Sequence, residues 1–340
     1  GCMFGGRGGL YPVFASQDPI PSRMSAVPIV QPCRANARAF VRALRQFGFI
    51  IVPEQQGHRE VVDNVLFETR RFFQTPQEEK DKIMLDGMAT GFRGYQPQAL
   101  NVTGGVKDSH EGLDIMRTIS TDELKGYRCE DMLNKEAISE IVHTDNLWPT
   151  GQPSLERAYN DYINAMLPFG KTICDTIAEG FALETGKQIQ DSDRFSGIYS
   201  DDPFWLCRGL HYPNDGLVND SRQGCGEHTD YGLLTMICQE PVPGCLEIKL
   251  DGKWVSVDPV PNHFVINIGD VLQDWTDGYF MATPHRVLSP EATSRISVPF
   301  FYEPKFDAVI HDSPTRVTTY AEHLFSKFSG NFSFAEESML

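Results

Sequence analysis

Three residues in the second half of the chain have the types and the spacing of a metal site: His228, Asp230 and His285. Residues two apart in an extended strand point to the same side, so His228 and Asp230 can reach one ion while His285 approaches from a neighbouring strand. Two imidazoles and one carboxylate on one face of an octahedron leave three positions open. That arrangement suits an iron(II) ion that must also bind a cosubstrate and dioxygen. A histidine and an aspartate at this spacing also occur by chance, so the prediction depends on the residues around them.

An arginine and a serine follow the third of these residues. Arg295 comes ten residues after His285, and Ser297 lies two positions further on, within the β-prone run 295–301. An unpaired buried guanidinium is costly, and a guanidinium grips a carboxylate through two parallel hydrogen bonds. Because Arg295 and Ser297 point the same way in a strand, they predict a binding site for one carboxylate. The alternative is a structural ion pair between Arg295 and an Asp or Glu of the chain.

Together with several shorter motifs, these residues resemble the family of 2-oxoglutarate- and iron(II)-dependent oxygenases that includes isopenicillin N synthase. The similarity covers residues 26–310, in the family's order. The other matching motifs are Arg208 with Tyr212 and Pro213; His228 to Gly232 with Leu234 and Thr235; Asn267 to Asp270; Asp277 with Gly278, where the family usually has Asn-Gly; His285 to Val287; and, in the first half, Phe47 to Val52 and Phe72 to Lys82.

The resemblance implies a fold and an activity. The fold is α+β and mainly β: a distorted double-stranded β-helix, or jelly roll, with an N-terminal helical domain and supporting helices. The activity is hydroxylation of a small organic molecule by dioxygen, with iron(II) as the metal and 2-oxoglutarate as a cosubstrate that leaves as succinate and CO2. Ascorbate is a further candidate cofactor.

The resemblance also implies roles for individual residues. The metal ligands are His228, Asp230 and His285, which are also the catalytic residues. The 2-oxoglutarate site consists of Arg295 and Ser297, which bind the distal carboxylate, and Tyr212, which adds a hydrogen bond. One departure is Leu210, since many plant members have asparagine two residues before this tyrosine. The change weakens assignment to the plant flavonoid or gibberellin branches more than it weakens the chemistry.

Three other functions remain open at this point. The first is a 2-oxoglutarate-independent oxidase of the isopenicillin N synthase or ACC oxidase type, because such enzymes can keep the Arg-x-Ser pair. The second is a non-catalytic 2-oxoglutarate-binding descendant, against which the intact triad argues. The third is a zinc hydrolase with the same ligands, in which Arg295 and Ser297 would have no evident role.

The elements that must position these residues are helices in the first half and short strands in the second. Hydrophobic spacing and turn residues predict these elements and their ends. The helices are expected over 35–47, 60–73 and 154–183, with Thr75 as the hydroxyl cap of another, Ser154 as the cap of the long one and Pro168 as a kink or break in it. The strands are expected over 26–30, 49–52, 233–238, 246–250, 254–257, 264–268 and 295–301, with loop and at most one strand over 87–110.

The order of these elements predicts four regions. Residues 1–25 form a flexible, glycine-rich tail, and residues 26–190 form a helical and mixed region that ends in the long backing helix. Residues 191–310 form the jelly-roll catalytic region, and residues 311–340 form a C-terminal helix and tail.

Composition excludes several classes of protein. The chain has 340 residues, 41% hydrophobic and 22% charged, as in globular domains. A net charge of −16 argues against binding to nucleic acid or to an anionic membrane, and no apolar run approaches the roughly 18 residues of a membrane span. The eight cysteines include no Cys-x-x-Cys pair, which favours free thiols and a cytoplasmic location. The resemblance implies a small-molecule substrate and dioxygen as the partners.

Several aromatic residues and one arginine are candidates for the mouth of the substrate pocket, with ordinary core packing as the alternative. Arg93 is the candidate for a substrate carboxylate, with a solvated loop arginine as the alternative. The aromatic candidates are Phe92, Tyr95, Phe204, Trp205, Phe300 and Tyr302.

Overall fold

In the computed structural model, helices occupy much of the first half of the chain and strands most of the second. The structure describes residues 27–125, 135–187, 202–214, 222–313 and 316–331. Its helices, besides 3-10 turns at Arg34–Asn36 and Gly87–Thr90, are α1 (Ala37–Phe47), α2 (His58–Phe73), α3 (Gln77–Asp81), α4 (Thr121–Lys125), α5 (Lys135–His143), α6 (Pro153–Thr185), α7 (Asp270–Trp275) and α8 (Tyr320–Asn331). Its strands are β1 (Phe49–Pro53), β2 (Gly94–Gln96), β3 (Val102–Thr103), β4 (Val106–Lys107), β5 (Glu111–Met116), β6 (Trp205–Tyr212), β7 (Gln223–His228), β8 (Leu234–Gln239), β9 (Leu246–Leu250), β10 (Lys253–Ser256), β11 (His263–Ile268), β12 (His285–Leu288), β13 (Arg295–Tyr302), β14 (Val309–Ser313) and β15 (Arg316–Thr319).

Two antiparallel sheets make up the β-rich core. The larger sheet has the strand order β1-β11-β8-β13-β6-β5-β2, and the smaller has the order β10-β9-β12-β7. Apart from the hairpin β9–β10, neighbouring strands in both sheets are not joined by a short turn, so the sheets are built mainly from long-range pairings such as β13 with β6 and β12 with β7. This arrangement agrees with the predicted mainly β core and its supporting helices.

The two faces of strand β13 have different surroundings: one packs in the core of the protein, and the other lies on the opposite side of the large sheet. Ile296, Val298 and Phe300 are buried in the main hydrophobic cluster, and the backing helix α6 lies against this face, where the Tyr162 hydroxyl donates a hydrogen bond to the Val298 carbonyl (3.1 Å). Since successive side chains of a strand point to opposite faces, Arg295, Ser297 and Pro299 face away from this core.

Most predicted elements are confirmed within a few residues, but three local predictions are wrong. At 26–30 the described residues form only an isolated bridge from Ile29 to Ile51. The Thr75 hydroxyl donates to the Phe72 carbonyl (2.7 Å), and α3 has no side-chain cap. The Ser154 hydroxyl donates to Glu68 instead of capping α6. Short polar side chains have several backbone and carboxylate acceptors within reach, and tertiary contacts decide among them.

The remaining differences concern continuity and missing strands. Helix α6 continues through Pro168, so the predicted break is absent from this helix. Strands β2, β3 and β4 lie in the segment predicted as loop with at most one strand, β5 follows it where no strand was predicted, and β14 and β15 precede the C-terminal helix. None of the helices in the described ranges is long and apolar enough to cross a membrane.

The division into regions stays a prediction. Its boundary at residues 190 and 191 and the tail at 1–25 lie outside the described residues. Strands β1, β2 and β5 of the first region nevertheless join the large sheet.

The close approach of α1 to α6 generates a prediction about stability. A Cβ atom built on Gly180 of α6 would lie 2.2 Å from the Ala37 carbonyl oxygen of α1. We expect Gly180→Ala to lower the free energy of unfolding by about 1–3 kcal/mol, because backbone atoms must move apart. Urea unfolding checks this, with Gly151→Ala as the control, since no atom lies within 4 Å of a Cβ there. Equal unfolding midpoints for the two variants would contradict the prediction.

Candidate metal centre and binding cavity

The predicted metal residues meet where β7 and β12 pair. His228 is the last residue of β7, His285 is the first residue of β12, and the antiparallel register places them opposite each other. Asp230 follows two residues after His228, in the segment that leaves the strand rather than within it. The imidazole rings lie 4.2 Å apart between centroids. A histidine from each of two paired strands and a carboxylate from the adjoining segment therefore face one point.

The distances within this group suit one metal ion. The Nε2 atoms of His228 and His285 each lie 3.7 Å from Asp230 Oδ1, and one ligand atom from each residue lies within 4.8 Å of the others. Protein ligands bind first-row divalent metals at about 2.0–2.2 Å, so ligand atoms on one ion are at most roughly 4.2 Å apart. The two histidine–aspartate separations are within that limit.

Backbone carbonyls orient both imidazoles. His228 Nδ1 lies 2.8 Å from the Gly226 carbonyl, and His285 Nδ1 lies 3.1 Å from the Thr283 carbonyl. Each Nδ1 is therefore assigned the proton that it donates, which leaves the Nε2 lone pair free to bind a metal. This pattern of outer hydrogen bonds is what metal-ligating histidines require.

Asp230 is held by its other carboxylate oxygen. Its Oδ2 accepts hydrogen bonds from the Thr235 hydroxyl (2.5 Å) and from Asn267 Nδ2 (2.6 Å). Thr235 and Asn267 come from the paired strands β8 and β11, whose register places them opposite each other. These bonds leave Oδ1 directed at the histidines.

The surroundings set the protonation of the three side chains. Burial acts to raise the pKa of Asp230, but His285, His228 and the hydrogen bonds from Thr235 and Asn267 lower it, so the carboxylate form is retained. Burial, with help from His228, lowers the pKa of His285 to about 4. Burial also acts to lower the pKa of His228, but Cys225, Asp230 and the Gly226 carbonyl raise it to about 10.

Arg295 is buried with two unsatisfied donors. Its Nη2 donates to Gln239 Oε1 (2.6 Å), whereas Nε and Nη1 are buried and have no hydrogen-bond partner in the described part of the chain. No carboxylate among the described residues forms an ion pair with it, so the alternative of a structural ion pair has no support there. Its guanidinium carbon lies 5.0 Å from the centre of the Tyr212 ring, which belongs to the facing strand β6. Buried, unpaired donors in a cavity suit an anionic ligand.

One cavity of about 460 Å³ brings together all six site residues predicted from the sequence. Its size lies within the range of small-molecule sites. The six are His228, Asp230, His285, Tyr212, Arg295 and Ser297. The donor set therefore suits a divalent metal, and the unpaired guanidinium in the same space suits a carboxylate ligand.

The floor of this cavity is one face of the large sheet. The outward-facing side chains of β13 and of the residue after it line it in succession: Arg295, Ser297, Pro299, Phe301 and Glu303. The paired strand β6 contributes its own alternate residues, among them Arg208 and Tyr212. This face of the cavity therefore has a cationic residue, Arg295, at one end, apolar residues in the middle and the carboxyl group of Glu303 at the other end.

The predicted aromatic candidates do not line this cavity. Phe300 and Tyr302 belong to the opposite, core face of β13, and Phe300 packs against Tyr162 and Trp205. Phe204 packs against Phe306 within the core. Alternate residues of a strand share a face, so the face that carries Arg295 and Ser297 continues with Phe301 and Glu303. The prediction of Phe300 and Tyr302 did not apply this two-residue period.

The candidates from the amino-terminal loop are structural as well. Arg93 is fully buried and donates to the carbonyls of Gly91, Ile141 and Arg117, so its assignment to a substrate carboxylate is wrong. Phe92 and Tyr95 are buried in the main core cluster.

Sequence reasoning also missed several polar residues that line the cavity. Arg208, noted only as part of a motif, donates to Asp114 (2.7 Å), which faces it across the pair β5–β6. Glu303 and Lys327 also line the cavity. The period along β13 could have found Glu303, but Asp114 and Lys327 reach the site only through the tertiary fold.

Family models match both halves of the chain. The 2OG-Fe(II) oxygenase superfamily matches residues 204–304, and the non-haem dioxygenase in morphine synthesis N-terminal family matches residues 29–150. The first match contains the metal and arginine residues described above.

Two relatives with named activities match most of the chain. It is 33% identical over 308 residues to homoarginine-6-hydroxylase 2-ODD-C23 of Glycine max, which covers 86% of this chain and 87% of the relative. It is 34% identical over 310 residues to homoarginine-6-hydroxylase 2-ODD-C23.1 of Arabidopsis thaliana, with 86% and 88% covered.

A solved structure has the same fold. A full-length Neurospora crassa protein, solved in complex with alpha-KG, superposes with a TM-score of 0.69 at 20% identity, over 91% of this chain and 98% of that one. This likeness confirms the predicted jelly-roll fold.

Removing the carboxylate should greatly weaken metal binding. We expect Asp230→Ala to bind iron(II) at least about 100-fold more weakly than the unchanged protein in anaerobic equilibrium dialysis, because two neutral imidazoles remain. Asp63→Ala, an exposed carboxylate of α2 paired with Arg59, is the control and should bind normally. Undiminished iron binding by Asp230→Ala would refute the proposed ligand set.

Removing the hydroxyl that orients Asp230 should have a smaller effect. We expect Thr235→Val to weaken iron(II) affinity by about 10- to 100-fold, as for other changes in groups that orient metal ligands. Thr118→Val, which removes an exposed hydroxyl bonded to the Thr144 carbonyl, is the matched control. If both variants bind iron(II) equally well by the same dialysis, the hydrogen bond from Thr235 has no part in positioning Asp230.

Proposed function

The chain belongs to the 2OG-Fe(II) oxygenase superfamily, and from this premise we propose which residues of the cavity bind iron(II), 2-oxoglutarate and the substrate. As a member, it is an oxidoreductase that depends on iron(II) and 2-oxoglutarate and acts on a small molecule. The observation that carries the residue assignments is the pair of unsatisfied Arg295 donors in the same cavity as the His-Asp-His group.

Three side chains hold the metal in this proposal. His228 and His285 bind through Nε2, and Asp230 binds through Oδ1. The hydrogen bonds at the opposite side of each group support this assignment, because they fix both imidazole tautomers and hold the Asp230 carboxylate by Oδ2. Iron(II), when bound, supplies the dioxygen chemistry that converts 2-oxoglutarate into succinate and CO2 and hydroxylates the substrate.

Arg295, Ser297 and Tyr212 bind 2-oxoglutarate in this proposal. Arg295 donates to the distal carboxylate through hydrogens that no described protein group accepts, and Gln239 accepts from its Nη2 and so fixes the plane of the guanidinium. Ser297 lies on the same face of β13 as Arg295. Tyr212, on the adjacent strand β6, lies opposite Arg295 in the strand register. The clamp orients the cosubstrate with its keto acid end towards the histidines.

Apolar side chains between the clamp and the far end of the cavity keep water from the reacting groups. Pro299 and Phe301 of β13 and Leu206 of β6 line this stretch. They offer an apolar surface to the aliphatic part of a substrate, which would place a C–H bond near the metal ligands.

We propose a basic amino acid as the substrate class, hydroxylated at a carbon of its aliphatic chain. The two relatives from Glycine max and Arabidopsis thaliana are homoarginine-6-hydroxylases that align with about seven-eighths of this chain. Homoarginine combines a long aliphatic chain with a terminal guanidinium, and a cavity of about 460 Å³ has room for a molecule of that size beside 2-oxoglutarate. Use of ascorbate and a cytoplasmic location stay predictions.

The arginine clamp generates a prediction that tests the function. Iron(II) and then 2-oxoglutarate are added without oxygen to the metal-free protein, and a weak visible charge-transfer band reports chelation of the keto acid. We expect Arg295→Met to raise the 2-oxoglutarate concentration for half of this band by about 100-fold, the loss typical for one partner of a buried charge pair.

The matched control is Arg286→Met on strand β12 of the smaller sheet, because Arg286 pairs with Glu247 and does not line the cavity. A normal titration by Arg295→Met would contradict the proposed clamp. No band in the unchanged protein, despite bound iron, would favour a 2-oxoglutarate-independent oxidase or a non-catalytic protein.

A further inference from the structure

Four acidic side chains line the cavity among the described residues, and three of them are engaged within the protein: Asp108, Asp114 and Asp230. Asp230 belongs to the metal group, and Asp114 is paired with Arg208. Asp108 accepts three hydrogen bonds from neutral groups, namely the Gly226 amide, the Gln223 amide and the Thr103 hydroxyl. The fourth, Glu303, is different.

Glu303 has no cationic partner in the described part of the chain. Its side chain is only 2% exposed, its Oε2 accepts a hydrogen bond from the Leu233 amide (2.8 Å), and the neutral Tyr320 hydroxyl lies beside it. The cavity lysine, Lys327, lies 4.0 Å from Asp270 and over the Tyr231 ring instead. Carboxylates are almost never buried to this degree without a partner.

The backbone beside Glu303 is shaped to admit the carboxylate. A Cβ atom built on Gly232 would lie 1.9 Å from Glu303 Oε1, so only glycine leaves room for it in this position. Gly232 follows two residues after Asp230, which places Glu303 against the segment that carries the metal ligand. The carboxylate is therefore part of the reaction cavity.

We propose that Glu303 binds the cationic group of the substrate, a guanidinium or ammonium, and so selects basic over neutral molecules. The inference rests on the proposed function, because it concerns the substrate of the same cavity. Phe301 and Pro299 precede Glu303 on the same face of β13. They would contact the aliphatic chain while the carboxylate holds its charged end.

The protonation of Glu303 is consistent with this role. Burial raises its pKa to about 8, against the effects of the Leu233 amide and the Tyr320 hydroxyl. The carboxyl is therefore largely neutral at pH 7 while no cation is present, and a bound cation favours its ionised form. The empty cavity thus avoids a buried unpaired charge.

The alternative to ligand binding is a purely structural role for Glu303, and the two roles must be distinguished. The Tyr320 hydroxyl is buried beside it without a hydrogen bond of good geometry, and Glu303 contributes, after burial, to the raised pKa of Tyr320. If Glu303 served only to support this tyrosine, its charge would have no influence on the choice of ligand. Tyr320→Phe removes the hydroxyl and leaves the carboxylate, so it is the matched control.

The test measures binding without turnover. The full chain, loaded with iron(II) and 2-oxoglutarate in the absence of oxygen, is titrated by calorimetry with homoarginine and with homocitrulline, its neutral isostere. We expect homoarginine to bind about 100-fold more tightly than homocitrulline, the scale of a buried charge pair. Glu303→Gln should bring the two dissociation constants together, and Tyr320→Phe should keep them apart.

Two outcomes would overturn the proposal: equal binding of the two ligands by the unchanged protein, or a preference for homoarginine that survives in Glu303→Gln. Binding of neither ligand by the unchanged protein would overturn it too. The charge-transfer band recorded on the same samples tests the proposed function separately. A normal band with no preference refutes only the role of Glu303, whereas a missing band refutes the proposed function.

Discussion

Antiparallel register is the constraint on which the cavity depends, because a slip of one residue turns every side chain of a strand to the other face. The pairing of β12 with β7 places His285 opposite His228. The pairing of β13 with β6 places Arg295 opposite Tyr212. One shifted pairing would move a metal ligand or the guanidinium into the hydrophobic core. Strand β13 pairs with β6 on one side and with β8 on the other, so a slip would break hydrogen bonds to both strands.

The same register assigns opposite tasks to the two faces of β13. Ile296, Val298 and Phe300 are buried against the core that α6 covers, and their burial stabilises the sheet. Arg295 and Glu303, on the cavity side, are polar groups whose burial opposes folding in the absence of ligands. The apolar face therefore compensates for the polar one, and ligands that satisfy the polar groups should stabilise the folded protein further.

The sequence predicted those features that restrict the type of residue at a position. It did not predict features that depend on contacts between distant parts of the chain. The six proposed site residues were recognisable because metal binding and carboxylate binding restrict residue type, and the structure brings them into one cavity. Strand β5 was missed because its acidic residues argue against burial. Glu111 pairs with Lys80 and Asp114 pairs with Arg208, and both partners come from other parts of the chain. The caps predicted at Thr75 and Ser154 were wrong for a related reason, since the nearest acceptors in the fold decided where those hydroxyls donate.

Some charged groups of the cavity are paired with other protein groups, whereas others have no ionic partner among the described residues. The first kind stabilises the fold, and the second kind is available to bind ligands. Asp114 and Arg208 satisfy each other, so their pairing holds β5 to β6 whether or not a ligand is bound. Arg295 and Glu303 instead keep capacity that the described protein does not use. They lie at opposite ends of one strand face, with Pro299 and Phe301 between them. A sheet face with a guanidinium that lacks an ionic partner at one end, a carboxyl group that lacks one at the other and apolar residues between them suits two ligands: an anionic cosubstrate and a substrate that ends in a cation.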